Sequence, residues 1–499
     1  MVLTEEKSLA EAFDAIGFGF FQVRLLIIAG LGFMADSIEV GVVTFLEQKA
    51  LQEWPEVQGW SKNALSMSVF GTKLLGSCFW GSLSDHLGRR RAFLLANVFL
   101  LTTGCLSALA PSYVWLVVAR GLVGLAIGGI VIPFDNLAES VPEKYSGSVC
   151  YAIEYFWTLG SLYSNGLAAL VLEPLGWRIY LLLTALPILL ACLGYFFLEE
   201  SPMWLLDRGF DEEALEVLRR IGAVNGKDLS QMTLVSYARE VDPSCKEVLA
   251  PELRRPLWSL GIIWCLGLFG YYGAALANGL LFTSASGTVD YGETLFTSSG
   301  EIVGITCAML ASWYVSSAVL QPWLYLVSCL ACLGILAVHS AGSNVTVLGL
   351  LAFLARCGSM GGVSVTWVLT PAAFPTHIRS TAHSVLYLAG SVGALLATAW
   401  PSSTSLVVMM AAYAGANLIC TAVAQWQIQR LAERSFDSLV SDLHASDVER
   451  RARSSLGRES RASYSTWAGP SMSRPSLPDD VPLRVLAVQT GWSKLWQDG

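Results

Sequence analysis

The chain has 499 residues, 54% of them hydrophobic and only 14% charged, with a net charge of −8 and a mean hydropathy of +0.54. Soluble domains carry about 25% charged residues, so this depletion excludes an ordinary water-soluble protein and points to one dissolved in a bilayer. The net charge says little about topology, to which Asp and Glu contribute little.

Residues 1–21 are acidic and mixed and lead straight into a full-length apolar run, which is not the pattern of a cleavable signal peptide. Twelve runs reach the ~20 apolar residues that a spanning helix needs. They cover 22–46, 62–83, 92–110, 113–138, 148–172, 177–198, 256–282, 293–315, 319–339, 345–370, 382–401 and 404–427. The expected fold is an all-α integral membrane protein, with twelve transmembrane helices in two six-helix pseudo-repeats around a central cavity. The bundles occupy 22–198 and 256–428, joined by a linker at 199–255 and followed by a tail at 429–499. Gly, Ser and Thr dilute the hydropathy between 274 and 298, and an eleven-helix count there would put the C-terminus outside.

Basic residues orient the chain. Arg89 to Arg91, the eight Lys and Arg of the linker, Arg379 and the tail arginines share one side of a twelve-helix chain, which the positive-inside rule makes cytosolic. Only scattered bases, such as Lys49, Lys62 and Arg178, fall on the other side. Both termini are therefore expected in the cytosol, the membrane being the plasma membrane or that of an intracellular vesicle. Within the linker, Glu212 to Ile221 places Leu215, Leu218 and Ile221 on one face and reads as a helix on the cytosolic face of the bundle.

The tail cannot bury enough apolar surface to fold alone and is expected to be disordered. Its Arg451-Ala452-Arg453-Ser454-Ser455 and Arg461-Ala462-Ser463 strings suit a basophilic kinase. Nearly all eleven cysteines lie in apolar runs, and Cys329-x-x-Cys332 reads as two small core residues. The sequon Asn344-Val345-Thr346 sits in a loop too short for use. No metal, cofactor or nucleic-acid partner is expected.

The halves repeat. Arg120 opens span four, Gly128-Gly129 follow, and Pro142 comes thirteen residues after Gly129; Arg356, Gly361-Gly362 and Pro375 reproduce the spacing in span ten. Duplicated halves around a midplane cavity are a common transporter plan. Charges inside spans each need a reason, because insertion costs at least ~2.5–3.5 kcal/mol. Asp36 and Glu39 share one face of span one, Lys73 lies mid-span two, and Arg120 about two turns into span four. Asp135 and Glu154 lie nearer the cytosolic ends of spans four and five, with Glu301 and Arg356 in spans eight and ten. Ion pairs that fix helix packing are the plain reading, above all for Glu301 with Arg356. Adjacent carboxyls repel, however, and Asp36 or Glu39 is the first candidate for proton coupling, with Glu301 next.

Between spans two and three lies Gly81-Ser82-Leu83-Ser84-Asp85-His86-Leu87-Gly88-Arg89-Arg90-Arg91. This G-x-x-x-D-x-x-G-R-R pattern resembles the loop between helices two and three of the major facilitator superfamily, which implies gating by Gly81, Asp85, Gly88, Arg89 and Arg90. Phe18-x-x-Phe21-Gln22, Met34 to Glu39, Arg120 to Gly124, Glu154-Tyr155-Phe156-Trp157 and Tyr271-Tyr272-Gly273 resemble the branch of synaptic-vesicle-2-related proteins and nicotinate and organic-ion carriers. Glu200 to Leu205 is similar to the P-E-S-P-R-W element after span six. The resemblance places Trp157, Tyr271 and Tyr272 toward the cavity. With the in-span charges Lys73, Arg120, Glu154 and Arg356 they make up the expected substrate site, although the related branch does not generally require a cation at Lys73. Two departures stand out: Ala311 to Ser317 lacks the Asp and the Arg pair, and Leu369-Thr370-Pro371-Ala372 lacks the carboxylate that Glu139 supplies in the first half.

The expected function is secondary active transport of a small organic solute, as proton-coupled symport of an organic anion such as an aromatic monocarboxylate. An organic-cation or sugar carrier, or a non-transporting scaffold or sensor, is the alternative. No G-x-x-x-x-G-K-[ST], G-x-S-x-G or metal spacing supports an ATP-driven pump or an enzyme.

Overall fold

The computed structural model describes residues 5–57, 63–234, 248–251, 253–282, 290–340, 345–374, 378–398 and 405–429. The kinase strings and the rest of the tail, Asn344, Pro375 and Lys62 lie outside the described residues, as do the side chains of Asp135 and Arg379. From Met1 to Ala424 the chain packs as one unit.

The membrane part begins with α2 (Phe20–Glu53), preceded by a short α1 (Leu9–Ile16). At ~1.5 Å per residue, the 34 residues of α2 reach about 50 Å, well beyond a ~30 Å hydrocarbon core. Next come α3 (Ala64–Leu87) and α4 (Arg89–Ala108), hinged at Gly88, whose φ of 95° suits only glycine. Span four is α5 (Tyr113–Ile127) and α6 (Val131–Glu139), joined by a tight turn at Gly128–Ile130. Span five is α7 (Glu143–Leu167), and span six is built from α8 (Glu173–Thr184) and α9 (Leu186–Gly194). The linker holds α10 (Pro202–Asp207) and α11 (Asp211–Val224). The second half runs through α12 (Arg254–Leu281), α13 (Tyr291–Ser312), α14 (Ser317–Ser340), α15 (Val345–Ala372), α16 (Arg379–Thr398) and α17 (Leu406–Gln429).

Among the described residues, ten helical runs are long and apolar enough to cross a membrane alone. One of them, Lys144–Phe197, holds two spans divided at Gly176, whose φ of 83° interrupts the helix. The other missing span is α3, whose hydropathy Lys73 and several Ser and Gly lower. Twelve spans result, and α12 and α13 are separate helices, which disposes of the eleven-helix count.

The repeat shows in the packing. A Cβ on Gly76 of α3 would lie 2.2 Å from the Leu125 carbonyl oxygen, so α3 and α5 meet backbone to backbone. In the second half a Cβ on Gly304 of α13 would lie 2.2 Å from the Cys357 carbonyl oxygen of α15. These are spans two with four and eight with ten, held close by small residues as membrane helices often are.

One element was unexpected. Glu5–Lys7 (β1) pairs in parallel with Met232–Leu234 (β2), tying the N-terminal segment to the linker. Beside it α11 buries Ala214, Val217, Leu218 and Ile221, so Val217 takes the place expected for Leu215.

Candidate functional site

Helix α2 brings Asp36 and Glu39 to one face, and each meets its own cation. Lys73 Nζ lies 2.7 Å from Asp36 Oδ2, with side-chain exposures of 1% and 3%. Arg120 of α5 forms an ion pair with Glu39, equally buried. The expectation of two carboxyls left to repel one another meets a different arrangement: α3 and α5 each place a base beside one of them. Glu301 of α13 pairs with Arg356 of α15, as the helix-packing reading expected.

The two halves meet through hydroxyls. Lys73 Nζ donates to the Tyr272 hydroxyl at 3.3 Å, and the Tyr387 hydroxyl donates to Asp36 Oδ2 at 3.3 Å. Trp157 Nε1 donates to the Tyr271 hydroxyl at 2.5 Å, which in turn donates to Glu301 Oε1 at 2.7 Å. The Asp36–Lys73 pair of the first half therefore touches α12 and α16 of the second.

Between these groups lies a small pocket walled by Asp36, Glu154 and Trp157 from one half and by Tyr271, Tyr272, Trp367 and Tyr387 from the other. Glu154 was placed by its sequence position near the cytosolic end of span five. The helix in fact starts at Glu143, so Glu154 is mid-helix and faces the pocket with Trp157, one turn on. Of the expected substrate residues, Glu154, Trp157, Tyr271 and Tyr272 line it; Lys73 and Arg356 stand behind the tyrosines, and Arg120 is engaged by Glu39.

Sequence reasoning missed Trp367 and Tyr387, which line the pocket, and Trp264 and His383, which lie outside its wall and pack against Trp367. Trp367 packs on Phe134 at 4.8 Å and on Trp264 at 4.9 Å. The internal repeat could have found it, because Phe134 follows Gly129 by five residues just as Trp367 follows Gly362. Tyr387 carries no such signal.

The loop at the end of α3 is a second constellation. Arg89 Nη1 bonds Asp85 Oδ1 at 2.7 Å and Ser84 Oγ at 2.8 Å. The linker grips the Asp85 carbonyl oxygen through Trp204 Nε1 and Arg208 Nη2, each at 2.7 Å. Glu200 Oε1 accepts the Arg90 and Ser201 amides at 3.0 and 3.1 Å, and burial pushes its carboxyl above the usual range, partly offset by those bonds. Gly88 makes room for it: a Cβ there would lie 2.3 Å from Glu200 Oε2. Arg90 covers the Tyr195 ring at 4.5 Å, and Gly81 faces Ser384 of α16. The turn between α13 and α14 has no charged residue.

Two halves around an occluded pocket, with buried pairs beside it, is the architecture of a carrier. The sequence model for the family described as sugar (and other) transporter matches residues 25–440. The chain belongs to this family of the major facilitator superfamily. The synaptic vesicle 2-related protein of Xenopus laevis is 31% identical over 408 residues, 77% of this chain and 74% of that one. Organic cation/carnitine transporter 7 of Arabidopsis thaliana is 27% identical over 435 residues, 77% of this chain and 86% of that one. Among solved structures, the partially occluded inward-open xylose transporter of E. coli matches with a TM-score of 0.64 at 16% identity, over 82% of this chain and 99% of that one. A human organic anion transporter matches at 0.60 and 15% identity, over 81% and 98%. At such identities the structures speak for the fold. The family makes this chain a multi-pass membrane transporter of the facilitator type and not an enzyme.

Proposed function

We propose that this transporter is a secondary active carrier, moving a small organic solute by rocking its halves around the central pocket and driven by a proton gradient. The observation that carries the reading is the Asp36–Lys73 pair, which belongs to the first half yet is bonded to Tyr272 and Tyr387 of the second. Rocking must break those bonds. Without those two hydroxyls the buried pair loses part of its hydrogen bonding, which weakens its hold on a bare Asp36 carboxylate and favours a proton there, so movement is linked to protonation. Glu39 and Glu301 are paired inside their own halves and stand behind Asp36 as coupling groups.

Organic-anion symport fits the geometry less well than expected, because Lys73, Arg120 and Arg356 each already face a carboxylate. The relatives, one a synaptic vesicle 2-related protein and another an organic cation/carnitine transporter, favour a vesicle membrane and a cationic solute. The decisive experiment is uptake by proteoliposomes under an imposed pH gradient, with organic cations, acids and sugars offered in turn. Accumulation that collapses with the gradient is expected. No gradient-driven accumulation of any of them would leave the scaffold reading, for which the uncharged α13–α14 turn speaks.

A further inference from the structure

We propose that the pocket receives a small organic cation and that Glu154 holds its charge, taking it in exchange for a proton. This rests on the carrier reading above and names its substrate class. Around the pocket, Asp36, Glu39 and Glu301 have each found a base, Lys73, Arg120 and Arg356. Glu154 is left over. It is 1% exposed, its Oε1 has no hydrogen-bond partner among the described residues, and it lines the pocket. A bare carboxylate in that position is costly, so it is occupied either by a proton or by an arriving positive charge.

The remaining walls select between charge classes. The hydroxyls of Tyr271, Tyr272 and Tyr387 are engaged by Glu301, Lys73 and Asp36, which leaves ring faces, with those of Trp157 and Trp367, to meet a ligand. Aromatic faces beside a carboxylate attract an ammonium group. The same walls already do so, since Lys73 Nζ lies 5.6 Å from the Tyr272 ring centroid and 5.3 Å from that of Tyr387. An anion would meet Glu154 with no unpaired base in the pocket wall. A sugar would meet hydroxyls whose bonds are already spent on the ion pairs.

Proton and cation compete for one carboxyl, so binding weakens as pH falls. The groups facing Glu154 are Asp36 from α2, Lys73 from α3, Tyr151 on its own helix, Tyr271 and Tyr272 from α12, Glu301 from α13, Arg356 from α15 and Tyr387 from α16. The carboxylates among them are ion-paired. His383, one turn before Tyr387, packs on Trp367 at 5.0 Å and is the nearby imidazole outside the pocket wall. It is the control.

The test is calorimetric binding to the full chain in detergent. The probes are phenyltrimethylammonium, tetraethylammonium and choline, against benzoate and benzyl alcohol as anionic and neutral counterparts. Expected are binding of at least one ammonium probe, affinity rising with pH, and release of about one proton, read from buffers of differing ionisation heat. Glu154→Gln should weaken that probe at least about tenfold and abolish both the pH dependence and the proton release. Glu154→Asp and His383→Gln should keep them. Unchanged binding in Glu154→Gln, preference for benzoate, or no ammonium binding by protein that melts normally would overturn the assignment. Charge-selective binding without proteoliposome uptake would instead overturn the carrier reading alone.

Discussion

The Asp36–Lys73 pair allows stability and coupling to be separated. Asp36→Asn leaves the Lys73 ammonium buried without its counter-charge, and breaking such a pair from one side costs about 3–5 kcal/mol. Replacing both partners is far milder, because no orphan charge remains. In Asp36→Asn with Lys73→Met, the methionine fills much of the same space and the asparagine oxygen still accepts from the Tyr387 hydroxyl. What is lost is the long Lys73 bond to the Tyr272 hydroxyl and the contact with the Tyr272 and Tyr387 rings, the latter about 0.5–2 kcal/mol. Thermal melts in detergent should therefore rank wild type highest, the double variant slightly below it and Asp36→Asn well below both. Transport should rank differently. If protonation of Asp36 couples the halves, both variants lose accumulation driven by a pH gradient while exchanging substrate at equal pH on the two sides. A double variant that still concentrates substrate in response to pH would refute the coupling role, and the pair would then be a packing device.

Other consequences follow from the loop after α3. Burial raises the Glu200 carboxyl in the folded protein, so its protonated form is favoured there and its stability contribution is lost as pH rises through the shifted value. Glu200→Gln, neutral throughout, should gain in melting temperature relative to wild type as pH rises above 4.5, the carboxyl's ordinary value; a relative loss would contradict the burial argument. Gly88→Ala meets both a φ of 95° and the Glu200 carboxylate, and should lower stability by about 1–3 kcal/mol in a denaturation series, whereas Ser316→Ala in the second-half turn should do nothing.

The spans were legible because a bilayer demands runs of about 20 apolar residues, and α12 and α13 separated even where hydropathy is diluted. Pairing of Glu301 with Arg356 was legible because a charge in a membrane needs a partner. Which base Asp36 would take was not, since Lys73 and Arg120 sit on adjoining helices and only helix rotation decides between them. Depth was misjudged at Glu154 because the helix extends a turn beyond the apolar run, through Glu143 and Lys144. The β1–β2 pair was invisible, as three residues carry no periodicity and their partners lie more than two hundred residues apart.

The unequal halves have a mechanical consequence. At the end of the bundle that carries Arg89 to Arg91, the first half is tied by charge: Arg89 to Asp85, Glu200 to two amides, the linker to Asp85. The corresponding turn of the second half offers only neutral groups, and the described bonds across the halves there are Tyr151 hydroxyl to Ser317 Oγ at 3.2 Å and, a turn deeper, Tyr155 hydroxyl to Thr306 Oγ1 at 2.7 Å. A neutral hydrogen bond contributes about 0.5–1.5 kcal/mol, which is two- to about tenfold in a two-state population. Tyr151→Phe and Tyr155→Phe should each shift the protein by that factor toward the state open at this end. Their combination should come close to the product, since the two bonds share no partner. Spin labels at Lys144→Cys and Tyr314→Cys, both exposed and on opposite halves, would report the opening as a growing long-distance component. An unchanged distance distribution in the double variant would mean that closure at this end is held by apolar packing of α7 against α13, and that the missing charges of the second half cost the gate nothing.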